Sequence, residues 1–259
     1  MQIKKIKKII SKKNNSKIIC LTAYSKNIAE IVDEHADITL VGDSLGSVLY
    51  NYNSTRKVSL NTMIEHSKSV RSGIVKSLMV VDMPYKTYRN KSEALKNARK
   101  IVKLTRCDAV KLEGGFKIYK IIKHLIKNNI QVMGHLGVLP QSAKGKFKSK
   151  GKTEREKKQL LKDAKILESI GVFSIVLECI KTSTANQITK YIKIPTIGIG
   201  SSLNCDGQVL VTDDLLGLNR TKIKFVKKFA NLRKVINFGI KNFKYQVKAK
   251  KYPSKKYSY

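Results

Sequence analysis

Acidic side chains follow several short apolar segments of this 259-residue chain, at positions where they could share one task. Three of them are Asp43, Asp82 and Glu113. Like charges that meet at one site repel each other unless a cation neutralises them. Oxygen-only ligands suit a hard ion, and Mg²⁺ in proteins takes few carboxylates and leaves positions for substrate oxygens. The sequence therefore predicts a magnesium site at Asp43, Asp82 and Glu113 that accepts a small 2-oxo acid.

Further polar side chains complete the predicted site. Glu178 is separate in sequence from the three metal carboxylates, and we expect it to be the base that takes a proton from C3 of the 2-oxo acid. The metal would then stabilise the resulting enolate. Lys111 and Ser44 can bind the carboxylate or keto oxygen, and His135 can donate a hydrogen bond to an oxygen on which charge develops. Together with Asp43 and Asp82, these three residues form the predicted substrate-binding set.

Each of these residues, taken alone, has a simpler structural explanation. An Asp after a strand is a common N-cap of the next helix, which applies to Asp43 and Asp82. Lys111 or Glu113 alone could belong to a surface ion pair, and His135 alone could be a hydrogen-bonded structural histidine. Their joint occurrence favours function, because independent caps would not be expected to supply four carboxylates, a lysine and a histidine to one rim.

The elements that must position these side chains are short β-branched runs bounded by turn residues. Eight strands are predicted, at residues 18–22, 38–41, 77–81, 109–112, 131–134, 174–177, 196–199 and 208–211. The runs are apolar rather than alternating, as expected for parallel strands covered on both faces. Polar residues gather where the strands end. In a closed barrel all these ends meet on one face, whereas an open sheet would spread them along an edge. We therefore predict a single-domain (β/α)₈ barrel over residues 1–259.

Helical patterns separate most of the strands. Residues 92–105 carry an apolar stripe, and Thr153 with Glu156 forms a capping box at the start of another helix. Residues 1–17 are basic and amphipathic and are expected to form a short surface helix, with a cleaved transit peptide as the alternative. Residues 219–259 are expected to form a long amphipathic helix that includes Phe225 and Phe229, followed by a basic tail. Residues 143–152 are expected to form a loop, and His66 is expected to be a packing residue.

Composition limits the remaining classes of function. The formal net charge of +35 would suit a polyanion partner, but lysines fall in every segment together with abundant Ile and Asn. We therefore expect solvated surface lysines and no specific nucleic-acid partner. The four cysteines are widely spaced and are expected to be reduced and mostly buried. No apolar run is long enough to span a membrane, which favours a cytoplasmic protein. No G-x-G-x-x-G after a strand, P-loop or H-E-x-x-H motif occurs.

Longer blocks of the sequence resemble a known family. They are L-T-A-Y at 21–24, G-D-S-L-G at 42–46, V-D-M-P at 81–84, V-K-L-E-G-G at 110–115, G-H-L-G-V-L-P-Q-S at 134–142, V-L-E at 176–178, I-G-I-G at 197–200 and C-D-G-Q-V-L-V at 205–211. In this order they look like the signature blocks of ketopantoate hydroxymethyltransferase. The resemblance covers nearly the whole chain, and blocks as long as G-H-L-G-x-x-P-Q-S are far more specific than a short motif.

The resemblance implies a barrel of the phosphoenolpyruvate mutase and isocitrate lyase type. It implies transfer of a hydroxymethyl group from 5,10-methylenetetrahydrofolate to 3-methyl-2-oxobutanoate, giving 2-dehydropantoate for pantothenate synthesis. The family's metal carboxylates match Asp43, Asp82 and Glu113, and its base matches Glu178. Its substrate contacts match the remaining residues of the predicted site: Ser44, Lys111 and His135. A homo-oligomer, a decamer, is implied as well.

Several positions depart from the family pattern without removing a proposed ligand or the base. They are Ser25, Asn51, Lys152, Ser201, Ser202, Lys255 and Lys256. The changes at Lys152, Ser201 and Ser202 could affect the folate pocket. Two alternatives stay open at this point: another Mg-dependent 2-oxo acid lyase or mutase of the same barrel group, and a basic nucleic-acid-binding protein.

Overall fold

A computed structural model describes residues 2–142, 148–220 and 223–259. Its contacts divide the chain into two compact units, Met1–Val211 and Thr212–Tyr259. The first unit contains eight parallel strands that pair in chain order and close on themselves through β1 and β8, so the predicted barrel is confirmed. The strands are β1 Ile18–Thr22, β2 Ile38–Val41, β3 Leu78–Asp82, β4 Ala109–Glu113, β5 Val132–Gly137, β6 Ser174–Glu178, β7 Thr196–Ile199 and β8 Gly207–Leu210.

The predicted strands lie in the observed places: β1, β2 and β7 have the predicted bounds, and the ends of the other five differ by up to three residues. The largest difference is at β5, which continues to Gly137 rather than ending at 134. β3, β4 and β6 also extend by one residue at their C-terminal ends, so that Asp82, Glu113 and Glu178 are the last residues of their strands. The polar residues predicted to follow these strands therefore belong to them, because the ladder continues up to the rim.

Helices connect most of the strands of the first unit. They are α1 Gln2–Ser11, α2 Lys26–His35, α3 Leu45–Leu49, α4 Leu60–Arg71, α5 Lys91–Thr105, α6 Tyr119–Lys127, α7 Glu154–Ser169 and α8 Thr182–Tyr191, with short 3₁₀ turns at Thr55–Lys57 and Phe116–Ile118. Caps define several starts: the Asn90 side chain accepts the N–H of Glu93, and Thr153 accepts the N–H of Glu156, as predicted. Of the predicted loop at 143–152, residues 143–147 lie outside the described residues, and 148–152 form no helix or strand.

Alternation along the strands separates two apolar layers. On β3, Leu78 and Val80 belong to the core inside the barrel, whereas Met79 and Val81 belong to the core between the strands and the helices. The same alternation on β4 places Ala109 in the inner core. The next inward positions along these two strands are Asp82 and Lys111, so polar side chains replace the apolar core at one end of the barrel.

The opposite end of the barrel is covered by α1. Ile6 and Ile9 are buried against the inner core, and Lys5 donates to the carbonyl of Ser77 at 2.8 Å. Lys13, just after the helix, pairs with the buried Asp206 at 2.9 Å. The predicted N-terminal helix thus exists and ends at Ser11 rather than at residue 17.

The second unit contains α9 Thr212–Leu215, α10 Leu232–Lys248 and a 3₁₀ turn at Lys255–Tyr257. The long C-terminal helix was predicted, but the inclusion of Phe225 and Phe229 was wrong. The helix begins at Leu232, with the Asn231 side chain accepting the N–H of Lys234 as its N-cap. Phe229 instead donates its N–H to the carbonyl of Leu215.

Candidate active site

Asp82 and Lys111 form a buried ion pair at the C-terminal end of the barrel. They are direct neighbours in the β3–β4 ladder, and the Lys111 Nζ lies 2.7 Å from Asp82 Oδ1. The side chain of Lys111 is only 6% exposed and that of Asp82 only 4%. Burial alone would lower the pKa of Lys111, but the carboxylates of Asp82, Asp43 and Glu113 hold it above its ordinary value. Lys111 is therefore a cation in this site.

Asp43 lies beside this pair, in the segment that follows β2. Its N–H donates to Asp82 Oδ2 at 3.1 Å, and the residue is buried. The preceding Gly42 has little space for a side chain, because a Cβ there would lie 2.9 Å from the Ser44 hydroxyl. The alternative that Asp43 and Asp82 are helix caps is not what the structure shows: Ser44 occupies the N-cap position of α3, and the Asn90 side chain caps α5.

Glu113, His135 and Glu178 continue the rim across β4, β5 and β6. Glu113 and His135 are direct neighbours in the ladder, and the Nδ1 of His135 lies 3.8 Å from Glu113 Oε1. The Nε2 lies 3.2 Å from Glu178 Oε2. Among the described residues, neither ring nitrogen of the buried His135 has a hydrogen-bond partner. Buried polar atoms are rarely left in this state without a functional reason, which suits a ligand oxygen at this histidine.

Gln141 is a site residue that the sequence analysis missed. It is 2% exposed, and its Nε2 donates to Asp43 Oδ2 at 2.8 Å and to the carbonyl of Met83 at 3.0 Å. Its main-chain N–H donates to Glu113 Oε2 at 3.0 Å. It lies within the quoted block at 134–142, and this was the only available signal, because no charge or strand end marks the position.

Ser44 is held by a hydroxyl network on the same rim. The Tyr24 hydroxyl and the Ser44 Oγ lie 2.8 Å apart. The Nδ1 of His66 lies 2.7 Å from the carbonyl of Tyr24, and its Nε2 lies 2.8 Å from the Tyr50 hydroxyl. His66 packs edge-on against the Tyr50 ring, with the ring centroids 5.8 Å apart, and both its ring nitrogens also lie within hydrogen-bond distance of neighbours, which the sequence analysis did not predict.

The electrostatics of the rim favour a bound cation. Burial raises the pKa of Asp43, and the Asp82 carboxylate raises it further. Burial also raises the pKa of Glu113, with a further contribution from Asp43. Asp43, Asp82 and Glu113 with the single Lys111 ammonium carry a formal charge of −2 when ionised, which one divalent cation would cancel. The donor set consists of carboxylate oxygens, as a hard cation requires.

The carboxylates are not preassembled as a closed metal cage. Within the part of the chain that the structure describes, no group of three or more His, Cys, Asp or Glu side chains has a metal-ligating arrangement. Protein donors already engage an oxygen of each carboxylate: Lys111 on Asp82, and Gln141 on both Asp43 and Glu113. The residues fit a divalent cation by charge and chemistry, and the three-carboxylate ligand set stays a prediction.

Two of the departures from the family pattern, Ser201 and Ser202, lie between β7 and β8. Ser202 is 4% exposed, and its Oγ donates to Asn186 Oδ1 at 2.5 Å. The Ser201 carbonyl accepts a hydrogen bond from Thr182 Oγ1 at 3.2 Å. Both serines thus connect this loop to α8, and their effect on a folate pocket stays a prediction.

The fold is similar to that of solved enzymes at low sequence identity. 2,3-Dimethylmalate lyase, a member of the phosphoenolpyruvate mutase and isocitrate lyase superfamily, matches with a TM-score of 0.62 at 10% identity, over 99% of this chain and 88% of its own. Phosphonopyruvate hydrolase, solved in complex with oxalate and Mg²⁺, matches with a TM-score of 0.60 at 10% identity, over 98% of this chain and 93% of its own. The chain is thus a (β/α)₈ barrel, as predicted, and its fold is similar to that of these enzymes.

Sequence comparison defines the family within that fold. The family model of ketopantoate hydroxymethyltransferase matches residues 1–255. The 3-methyl-2-oxobutanoate hydroxymethyltransferase of Pelagibacter ubique is 64% identical over 256 residues, 99% of each chain. That of Helicobacter pylori is 43% identical over 267 residues, 100% of this chain and 99% of its own. The chain belongs to the ketopantoate hydroxymethyltransferase family, and the prediction of an enzyme of this family is confirmed.

The alternatives left open by the sequence are weakened by these findings. The superfamily lyases and mutases match at about a tenth identity, far below the hydroxymethyltransferases. The net charge is the only feature that supports a nucleic-acid-binding protein. Among the described residues, no helix is both long enough and apolar enough to cross a bilayer.

Proposed function

We propose that this enzyme transfers a hydroxymethyl group from 5,10-methylenetetrahydrofolate to 3-methyl-2-oxobutanoate, with Mg²⁺ as its metal and Glu178 as its base. The proposal rests on one observation: Asp43, Asp82 and Glu113, from three successive strand ends, meet around Lys111 with a formal charge deficit that a divalent cation would cancel. The hydroxymethyltransferase name of the relatives and the Mg²⁺ and oxalate named with phosphonopyruvate hydrolase support the same chemistry.

Mg²⁺, when bound, withdraws electron density from the keto oxygen and so acidifies the C3 hydrogen. Asp43, Asp82 and Glu113 are the residues that would hold it. Lys111 is a buried cation beside them and suits the carboxylate of a 2-oxo acid. Its charge also limits the repulsion that a substrate anion would meet among the carboxylates.

Glu178 is the residue to which we assign removal of the proton from C3. It is the last residue of β6, next to His135 and away from the Lys111 pair, and its side chain is 17% exposed, so a substrate can reach it. Water adds to the methylene carbon of the folate, both of its bonds to folate nitrogens break, and the carbon is released as formaldehyde while the two water protons stay on tetrahydrofolate. The electron pair left at C3 forms the new bond to this carbon, and the aldehyde oxygen takes the proton from Glu178 and becomes the hydroxyl of the product. His135 can donate a hydrogen bond to an oxygen on which charge develops.

Proton exchange at C3 tests the base without requiring folate. The protein is incubated with Mg²⁺ and 3-methyl-2-oxobutanoate in heavy water, and the C3 hydrogen is followed by NMR. We expect exchange that stops when the metal is chelated, and a loss of roughly 10²–10⁴-fold in Glu178→Gln. Glu154→Gln makes the same change at an exposed helix position and should leave the rate unchanged.

Two outcomes would contradict different parts of the proposal. Absence of exchange in the wild-type protein would count against 3-methyl-2-oxobutanoate as the substrate. Exchange at a near-normal rate in Glu178→Gln would remove Glu178 from the role of base while leaving the substrate in place. Product formation after addition of 5,10-methylenetetrahydrofolate tests the donor separately.

A further inference from the structure

Gln141 connects two of the carboxylates that the proposed function assigns to the metal. It lies four residues beyond the end of β5 at Gly137, yet it is 2% exposed. We propose that Gln141 is a positioning residue, which fixes Asp43 and Glu113 relative to each other so that the rim can bind a divalent cation. The inference rests on the proposed function, because it assigns a role toward the same metal site.

The two contacts come from different parts of the residue. The side-chain Nε2 donates to Asp43 Oδ2 at 2.8 Å, and the main-chain N–H donates to Glu113 Oε2 at 3.0 Å. Asp43 follows β2 and Glu113 ends β4, so a single residue of a third segment sets the distance between them. Two buried carboxylates would otherwise be driven apart by their repulsion.

The chemistry of the amide matters as much as its place. A lysine or arginine at this position would also bind both carboxylates, but it would cancel the negative charge that attracts a cation. An amide donates hydrogen bonds and carries no net charge. Lys111 therefore compensates one carboxylate, whereas Gln141 orients two others and leaves the formal charge of −2 for the metal.

The orientation of Gln141 is itself fixed by its neighbours. The Tyr88 hydroxyl donates to its Oε1 at 2.5 Å, while its Nε2 also donates to the carbonyl of Met83 at 3.0 Å. A flipped amide would turn its oxygen toward the Asp43 carboxylate and the Met83 carbonyl, which can only accept hydrogen bonds. Arg56 Nε donates to the Gln141 carbonyl at 2.7 Å, and its guanidinium lies 4.9 Å from the centre of the Tyr85 ring.

These contacts predict a defect in metal binding that can be measured without turnover. Mn²⁺ serves as the probe, and free Mn²⁺ is counted by electron paramagnetic resonance during titration of the intact protein. Gln141→Met keeps the length of the side chain and removes its donors and its acceptor. We expect a dissociation constant for Mn²⁺ about 10–100-fold above that of the wild type, the usual effect of losing an outer partner of a metal ligand.

Gln159→Met is the matched control. Gln159 also donates through Nε2 to a carboxylate, Asp163 Oδ1 at 3.0 Å, but on the exposed face of α7. It should bind Mn²⁺ as the wild type does. Gln141→Met should also need more Mg²⁺ for half-maximal rate while its kcat at saturating Mg²⁺ returns toward the wild-type value, which a merely destabilising substitution would not produce.

The possible outcomes distinguish failure of the proposed metal site from failure of the proposed role of Gln141. If the wild-type protein takes up no Mn²⁺, the metal in the proposed function fails and the role of Gln141 fails with it. If the wild type binds and Gln141→Met binds equally well, only the role of Gln141 is overturned. If Gln141→Met does not fold, Tyr88→Phe decides: it removes the hydroxyl that orients the amide, and we expect about two- to tenfold weaker Mn²⁺ binding. Unchanged affinity in that variant overturns the inference.

Discussion

Replacing Lys111 by Met tests the charge balance of the rim. The substitution keeps an apolar stem and removes the ammonium that lies 2.7 Å from Asp82. Two magnitudes compete. Exposed ion pairs contribute about 0–1 kcal/mol, whereas removing one partner of a buried pair costs about 3–5 kcal/mol because the other charge stays buried and unpaired. Both side chains are less than a tenth exposed, so the larger value applies.

The expected loss is large enough to follow by thermal and urea unfolding. At about 2–4 °C per kcal/mol for a chain of this size, Tm should fall by roughly 6–20 °C in metal-free buffer. Added Mg²⁺ should recover part of the loss, since a ligand at a hundred times its dissociation constant stabilises the folded state by about 2.7 kcal/mol.

Lys157→Met provides the comparison for this experiment. Lys157 pairs with the exposed Glu154 at 3.4 Å within α7, so the same substitution should cost less than about 1 kcal/mol there. A Lys111→Met protein as stable as the wild type without metal would refute the reasoning. It would mean that Asp82 does not depend on Lys111 for its compensation.

Two further substitutions test the supports of the barrel. Burial alone would raise the pKa of Asp33, but hydrogen bonds from the N–H groups of Lys76 and Ser77 hold that pKa below its ordinary value. The ionised Asp33 therefore stabilises the folded state at neutral pH, and this contribution to the free energy of unfolding is lost as pH falls below about 4. Asp33→Asn should therefore cost about 1.5–3 kcal/mol in urea unfolding at pH 7, with a difference from the wild type that narrows in acid; a pH-independent difference would contradict this. Gly137 has φ +101°, and a Cβ there would collide with the carbonyl of Glu178, so Gly137→Ala should cost about 2–4 kcal/mol and slow C3 exchange; normal stability and exchange would contradict it.

The barrel could be predicted because strand–helix alternation fixed the number of strands and the polar strand ends favoured closure. What the apolar runs did not reveal was which strand residues face inward. On β4 the inward row runs from Ala109 to Lys111, and Glu113 ends the same strand. The sequence analysis found these two residues by their charge, and the alternation explains why they meet the residues of neighbouring strands rather than the helices.

The parts of the site that sequence reasoning missed are those set by loops. Gln141 and Tyr88 carry no charge and belong to no strand, and their partners are 98 and 53 positions away along the chain. Only tertiary structure brings such residues together. The start of the C-terminal helix was misplaced for another reason. Phe225 and Phe229 continue the helical spacing of apolar residues, but the helix begins after the cap at Asn231.

The net charge of the protein and the local charge of the rim have opposite signs. A net charge of +35 draws small anions toward the surface, but three carboxylates at the mouth would repel a 2-oxo acid. Lys111 removes one of these charges, and Gln141 holds two of the carboxylates without removing any. The site is thus arranged to keep a deficit of two charges. In the proposed function a divalent cation would supply the remaining compensation. The metal would then be required for substrate binding as well as for proton removal, so we predict that 2-oxo acid binding in equilibrium titrations is lost when the metal is removed.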